Sequence, residues 1–379
     1  MQAATTAGSR SRRAATPAPL LMLAALMLVT GISGGLYRLG IAPSAIAATG
    51  WLGRAGLAHA ALMIGAFLGT VIGIERAVAV KLRGAWLAPI ASALGGACLL
   101  LGQAHVGAWL GVAAATLFAA VNVVVVRRQP AIHTALLWLA SVAWLAGNLL
   151  FATGGGSEAV LPWWFAFLLV TIAAERVEMT RLMRRRPVAH PLLFGVLALM
   201  FAGAATSGFA PRVGGLLYGL SLTALASWFL LFDIARRTVA TKGLPRYMAV
   251  CLLAGYLWLA VGGIGWASTA LGLPLRDIAL HALGLGFVFS MMMAHAPVIL
   301  PAVARIKIEF GRFFYVPLAA LHASLLLRLG AGWFDAGLRS TGAVLNAASI
   351  ALFAATLAGA ALAWRIQHDG PTVQDILHG

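Results

Sequence analysis

Four histidines and two glutamates carry most of the chemistry this sequence offers, because they fall within or at the ends of long apolar runs. An ionisable side chain in hydrocarbon is costly, so each such residue is a functional candidate. His59 lies in Gly56-Leu57-Ala58-His59-Ala60-Ala61, near one end of the second apolar run. His281 lies in Leu280-His281-Ala282-Leu283-Gly284-Leu285-Gly286, near the corresponding end of the tenth. They share a depth, and small neighbours let a bulky planar group approach either backbone. Neutral imidazole is the commonest biological metal ligand, and two facing imidazoles can hold haem iron axially. Two ordinary interhelical hydrogen bonds would explain the same residues.

At the opposite end of the second and tenth runs, and at the same end of the sixth, stand Glu75, His295 and Glu175 respectively. Two carboxylates and an imidazole suit copper or another transition metal, or a proton-transfer site. Glu-Arg at a helix end also reads as an interfacial salt bridge with a snorkelling arginine. Unbroken α-helical geometry puts His59 and Glu75, sixteen residues apart, on nearly opposite faces, and His281 and His295, fourteen apart, on one face. Pro297 and Pro301 should kink or end the tenth helix. His322 sits at mid-depth in the eleventh run with no nameable partner, and His133 begins the fifth. His105, His190, His368 and His378 fall in loops, at a boundary or in the polar tail. Cys98 and Cys251 are isolated, and no CxxC or CxxCH occurs, which excludes covalent c-type haem. Trp163 and Trp164 read as interfacial anchors, and Met291–Met293 as flexible packing.

The elements that must position these residues follow from composition. The chain has 379 residues, 61% hydrophobic and 10% charged, which excludes soluble globular, disordered, collagenous and disulfide-scaffold classes. The net charge of +17 does not point to nucleic acid, because the basic residues lie between apolar runs. Twelve runs are long enough to span a membrane: Leu20–Tyr37, Ala55–Val80, Trp86–Gly102, Val106–Val126, His133–Phe151, Val160–Ala174, Pro191–Ala205, Gly214–Phe232, Met248–Leu271, Ile278–Val303, Phe313–Leu327 and Thr341–Trp364. The sixth, seventh and eleventh are short, so their charged ends should extend into the interface. With a cytoplasmic N-terminus, 21 Lys and Arg fall inside and 6 outside, an alternation that a missed helix would scramble. The expected organisation is a cytoplasmic segment 1–19, a twelve-helix domain 20–366 and a cytoplasmic tail 367–379, in a bacterial-type inner membrane among lipid. Arg10, Arg12 and Arg13 resemble a signal-peptide start and Ala45-Ile46-Ala47 a cleavage site, but the latter lies well past the apolar run, so the first run is kept as a helix.

Helices 2, 6 and 10 each end on the basic side with an ionisable group, in Gly73-Ile74-Glu75-Arg76, Ala173-Ala174-Glu175-Arg176 and Met293-Ala294-His295. A four-helix unit repeated three times would produce this pattern.

These residues carry a resemblance. His281-Ala282-Leu283-Gly284-Leu285-Gly286 with its Met-rich continuation resembles the tenth-helix signature of the NnrS family. His59-Ala60-Ala61-Leu62-Met63-Ile64-Gly65-Ala66-Phe67 is similar to that family's second-helix motif and to the second-helix haem-ligand motif of haem–copper oxidase catalytic subunits. The resemblance implies an oxidase-like all-α fold with a b-type haem held by His59 and His281. It also implies a link to nitric oxide, with quinol or an electron-transfer protein as partner. The departures are definite. The oxidases' copper-binding histidines in helices 6 and 7 and their paired His-x-His are missing, which argues against oxygen reduction at a haem–copper centre. The NnrS Gly-His-Thr-Gly-Arg stretch is replaced by Ala294-His295-Ala296-Pro297, and its His-Ala-His-Glu pattern is absent. The expectation is therefore a divergent NnrS-like haem protein in electron transfer or the response to nitric oxide, with membrane oxidoreductase activity left open. The alternative is a secondary transporter of a small solute or metal without haem, although the sequence shows no paired Gly/Pro breaks at midplane.

Overall fold

The computed structural model describes residues 17–41, 50–180 and 186–368. Arg10, Arg12, Arg13, Ala45–Ala47, Arg181, Arg184, Arg185 and His378 lie outside the described residues. Twelve helices are long and apolar enough to cross a membrane: α1 (Ala18–Arg38), α2 (Ala61–Val80), α3 (Arg83–Leu100), α4 (Ala104–Arg128), α5 (Ile132–Ala152), α6 (Ser157–Thr180), α7 (Ala189–Thr206), α8 (Pro211–Phe232), α9 (Leu244–Ala270), α10 (Arg276–Ala304), α11 (Arg312–Trp333) and α12 (Ala336–His368). No strand occurs among the described residues. Hydrocarbon offers backbone groups no partners, so helices that satisfy them internally are the natural outcome for such runs.

The short sequence runs lengthen as expected. The structure extends the sixth to 24 residues, taking in Glu158 at one end and Glu175, Arg176 and Glu178 at the other. Successive helices pack against one another, and α12 returns to touch α1. Inside this circuit α2 touches both α6 and α10. The most enclosed helices are α6 and α10. Trp164 belongs to this core at 3% exposure, against Phe151 at 5.2 Å, so it is not the interfacial anchor its position suggested.

α2 opens π-helical two residues after His59, and α10 turns π-helical directly after His281. Ala61–Gly69 and Ala282–Phe289 are π-helical. Each π turn takes up one residue more than an α turn, which rotates the remainder of the helix by about 100°. The opposite-face relation expected for His59 and Glu75 therefore does not hold, nor does the shared face of His281 and His295. Both helices also end on a basic residue in the left-handed region, Lys81 and Arg305, each with φ 57°. These are the only non-glycine residues with positive φ among the described residues. Pro297 and Pro301 do not end α10, which runs on to Ala304.

Candidate functional site

The π segments begin where α2 and α10 face a common space. A cavity of about 1080 Å³ lies between α1, α2, α6, α10, α11 and α12, and both His59 and His281 line it. Its walls are largely apolar, including Ile32, Met63, Phe67, Phe165 and Leu285. Its volume slightly exceeds the usual range for small-molecule and cofactor sites. Three arginines, Arg38, Arg276 and Arg328, also line it.

Each imidazole is oriented by its Nδ1. His59 Nδ1 lies 2.7 Å from the Gly31 carbonyl of α1, an acceptor, so Nδ1 carries the proton and donates. Nε2 is then the nitrogen with a free lone pair. Room for the ring comes from Gly35, where a Cβ would stand 2.9 Å from His59 Cε1. His281 Nδ1 lies 2.8 Å from Asp277 Oδ1 and 3.0 Å from the Asp277 carbonyl, so it too is the donor. Its Nε2 accepts from the Arg328 guanidinium at 3.0 Å. Arg328 also bonds Asp277 Oδ1 at 2.9 Å, which ties α10 to α11 across the cavity wall. Fixing one ring nitrogen on a carbonyl or carboxylate is how metal-ligating histidines are oriented and made basic.

Arg276 closes the cavity towards α6. Its Nη1 donates to both Glu158 oxygens at 2.9 Å, and its Nη2 donates to Ser157 Oγ at 2.8 Å.

At the other end of the bundle, Glu75 lies within electrostatic reach of Glu175, Arg76 and His295. Arg176 and Asp233 join this region, with Arg176 Nε 3.2 Å from Asp233 Oδ2 and both side chains buried. His295 Nδ1 donates to the Met291 carbonyl at 2.7 Å. Charge proximity is what joins Glu75, Glu175 and His295. Among the described residues no three His, Cys, Asp or Glu groups could hold a metal ion.

Residues 17–362 match the family described as "Domain of unknown function (DUF8744)". The chain belongs to the DUF8744 family. Neither the curated proteins nor the solved structures yield a match. Function in this DUF8744 protein is therefore read from its own residues.

Several residues around the cavity carried no obvious mark in the sequence. Asp277 stands one turn before His281, a spacing that pairs the two on one helix face and could have been read directly. Arg38, Arg276 and Arg328 are half of the six basic residues expected on the outer side, and all three line one cavity. Gly31 and Gly35 left no signal, because their role depends on where α1 docks. The unassigned His322 finds its partner in Trp258, whose Nε1 donates to His322 Nδ1 at 2.9 Å. The remaining histidines among the described residues do not line the cavity. His133 Nε2 is 3.9 Å from Glu178, and His105 accepts from Trp109 at 3.1 Å.

Proposed function

We propose that this protein is an integral membrane protein that holds a b-type haem between His59 and His281 and works in electron transfer or in the response to nitric oxide. The observation that carries the reading is one cavity lined by both imidazoles, each with its Nδ1 proton committed to an acceptor. The group has an apolar macrocycle, which the cavity's aliphatic and aromatic walls suit, and two carboxylates, for which Arg38 is the lining arginine that no carboxylate holds among the described residues, Arg276 and Arg328 being paired with Glu158 and Asp277. His281 would exchange its Arg328 contact for the metal, and the guanidinium would remain held by Asp277. Haem supplies one-electron chemistry, and ligation by two histidines leaves no open position, which favours electron transfer over ligand activation. We place both termini on the cytoplasmic side of a bacterial-type inner membrane, an orientation that the distribution of basic residues supports. Quinol or an electron-transfer protein is the partner class this chemistry requires.

A transporter without haem is the second reading. It is favoured by the π segments of α2 and α10, since paired irregularities in corresponding helices mark substrate sites in transporter folds.

One experiment separates the two. The protein is purified in mild detergent after expression with ample haem supply, and spectra are recorded oxidised and dithionite-reduced, with a pyridine haemochrome assay. A Soret band with sharp reduced α and β bands, lost in His59→Ala and in His281→Ala, is the expected result. A protein that folds without haem overturns the reading and leaves transport.

A further inference from the structure

A second cavity, of about 720 Å³, lies at the basic end of the bundle. It is enclosed by the start of α5, the end of α6, the start of α7, the end of α8 and the connection after α8. Three arginines line it, Arg186, Arg236 and Arg237, together with His133 and His190. Its one carboxylate is Asp233, whose charge is already matched. The Asp233 side chain is fully buried, accepts from the Ala235 amide at 2.6 Å and lies 3.2 Å from Arg176. Among the described residues none of the three arginines pairs with a carboxylate. The cavity is therefore a concave surface with an unbalanced positive charge.

Its remaining walls are apolar. Trp228, Leu231, Phe232 and Ile132 line it, and the Arg186 guanidinium lies 5.8 Å over the Phe232 ring. Trp228 is fixed by its Nε1, which donates to the Ala189 carbonyl at 2.7 Å. A bare inorganic anion would use the arginines and leave the aromatic wall and most of the volume unused. An anionic headgroup with a hydrocarbon tail uses both, at the depth where helices meet the interface.

We propose that this cavity binds a phosphate-bearing anion, and that its occupant is the headgroup of an anionic phospholipid, with the phosphate on Arg186, Arg236 and Arg237 and the chain along Trp228 and Phe232. Basic pockets between helix ends are the recurring form of such sites. The cavity lies at the end of the bundle opposite the two histidines, so this assignment stands or falls independently of haem.

The test is native mass spectrometry of the detergent-purified full chain titrated with phosphatidylglycerol or with phosphatidylcholine. Melting temperatures are followed in parallel, and inorganic phosphate is a third arm. The wild-type protein should retain phosphatidylglycerol preferentially, and Arg186→Gln, Arg236→Gln and Arg237→Gln should each weaken it roughly fivefold. Equal retention of the two lipids by the wild type overturns the proposal even if no variant folds, as does unchanged affinity in folded variants. Displacement of the lipid by millimolar inorganic phosphate alone would support an anion site and overturn the lipid as its occupant.

Discussion

Asp277 Oδ1 lies 2.8 Å from Nδ1 of His281, one turn further along α10, whereas the Nδ1 of His59 meets only the Gly31 carbonyl. The two imidazoles are therefore unequal. A carboxylate partner pulls the Nδ1 proton and makes the ring the more basic ligand, which stabilises the oxidised metal. Asp277→Asn keeps the hydrogen bond but removes the charge. On the haem reading it should raise the midpoint potential by about 60 mV for each tenfold lost in preference for the oxidised form. A redox titration followed at the α band measures it. Haem bound at an unchanged potential would refute this tuning role alone, and absence of haem from both proteins would refute the haem reading itself.

Gly35 makes the complementary steric case. Replacing a helical glycine with alanine usually stabilises by up to about 1 kcal/mol. At Gly35 the new Cβ would stand 2.9 Å from His59 Cε1 and 3.1 Å from Nδ1, so the ring must move and its bond to Gly31 must stretch. Gly35→Ala should lower haem retention without unfolding the protein, and Gly35→Val should do so more severely. Gly195→Ala, where nothing lies within 4 Å of the new atom, is the control and should leave the spectrum unchanged. Equal haem content in all three variants would show that the close approach of α1 does not position His59.

The sequence revealed the helices because hydrocarbon enforces a simple rule of twenty apolar residues between charged clusters, and all twelve spans appear where that rule put them. It revealed His59 and His281 because an imidazole among Ala, Leu and Gly stands out. It could not reveal the π segments, since Ala61–Gly69 and Ala282–Phe289 contain no residue that demands them. The facing of everything beyond them was misjudged accordingly, as at Glu75 and His295. The partners were hidden for a related reason. Gly31, Arg328 and Trp258 act through helix contacts, and one sequence does not say which helices touch. Asp277 was the exception, readable from its spacing alone.

Trp258 and His322 form a polar contact within the bundle that also braces the α10 π segment. Trp258 Nε1 donates to His322 Nδ1 at 2.9 Å, and a Cβ on Gly286 would collide with Trp258 Cγ. Trp258→Phe removes the donor and leaves His322 without a partner on either nitrogen, because its Nε2 is already unpaired. The expected cost is about 1 kcal/mol, typical of interhelical hydrogen bonds in membranes. Gly286→Ala drives a methyl group into the indole and should cost more. Thermal unfolding in detergent measures both. Should Gly286→Ala prove neutral, the indole cannot be packed as tightly as these contacts require.

Arg176 and Asp233 supply a prediction whose sign depends on pH. Asp233 lies just beyond the end of α8, and burial raises its carboxyl above the ordinary range, outweighing Arg176, the Ala235 amide and Tyr256. A raised acid binds its proton more tightly in the folded than in the unfolded chain. Its contribution to stability therefore grows as pH falls through the folded value, and levels off at the ordinary carboxylate range. Arg176→Met removes the partner that holds this group down and leaves an uncompensated buried carboxylate, at a cost of about 3–5 kcal/mol near neutral pH. Acidification should recover much of that loss as Asp233 takes up a proton. Arg76, Glu75, Glu175 and His295 face the same region and are common to all the variants, so the comparison needs Asp233→Asn in the Arg176→Met background. That double variant should be less destabilised at neutral pH than Arg176→Met, and it should lack the recovery on acidification. Melting temperatures measured between pH 5 and pH 8 decide the matter. Parallel pH profiles for Arg176→Met and the double variant would mean that the buried charge is balanced by some group other than Arg176.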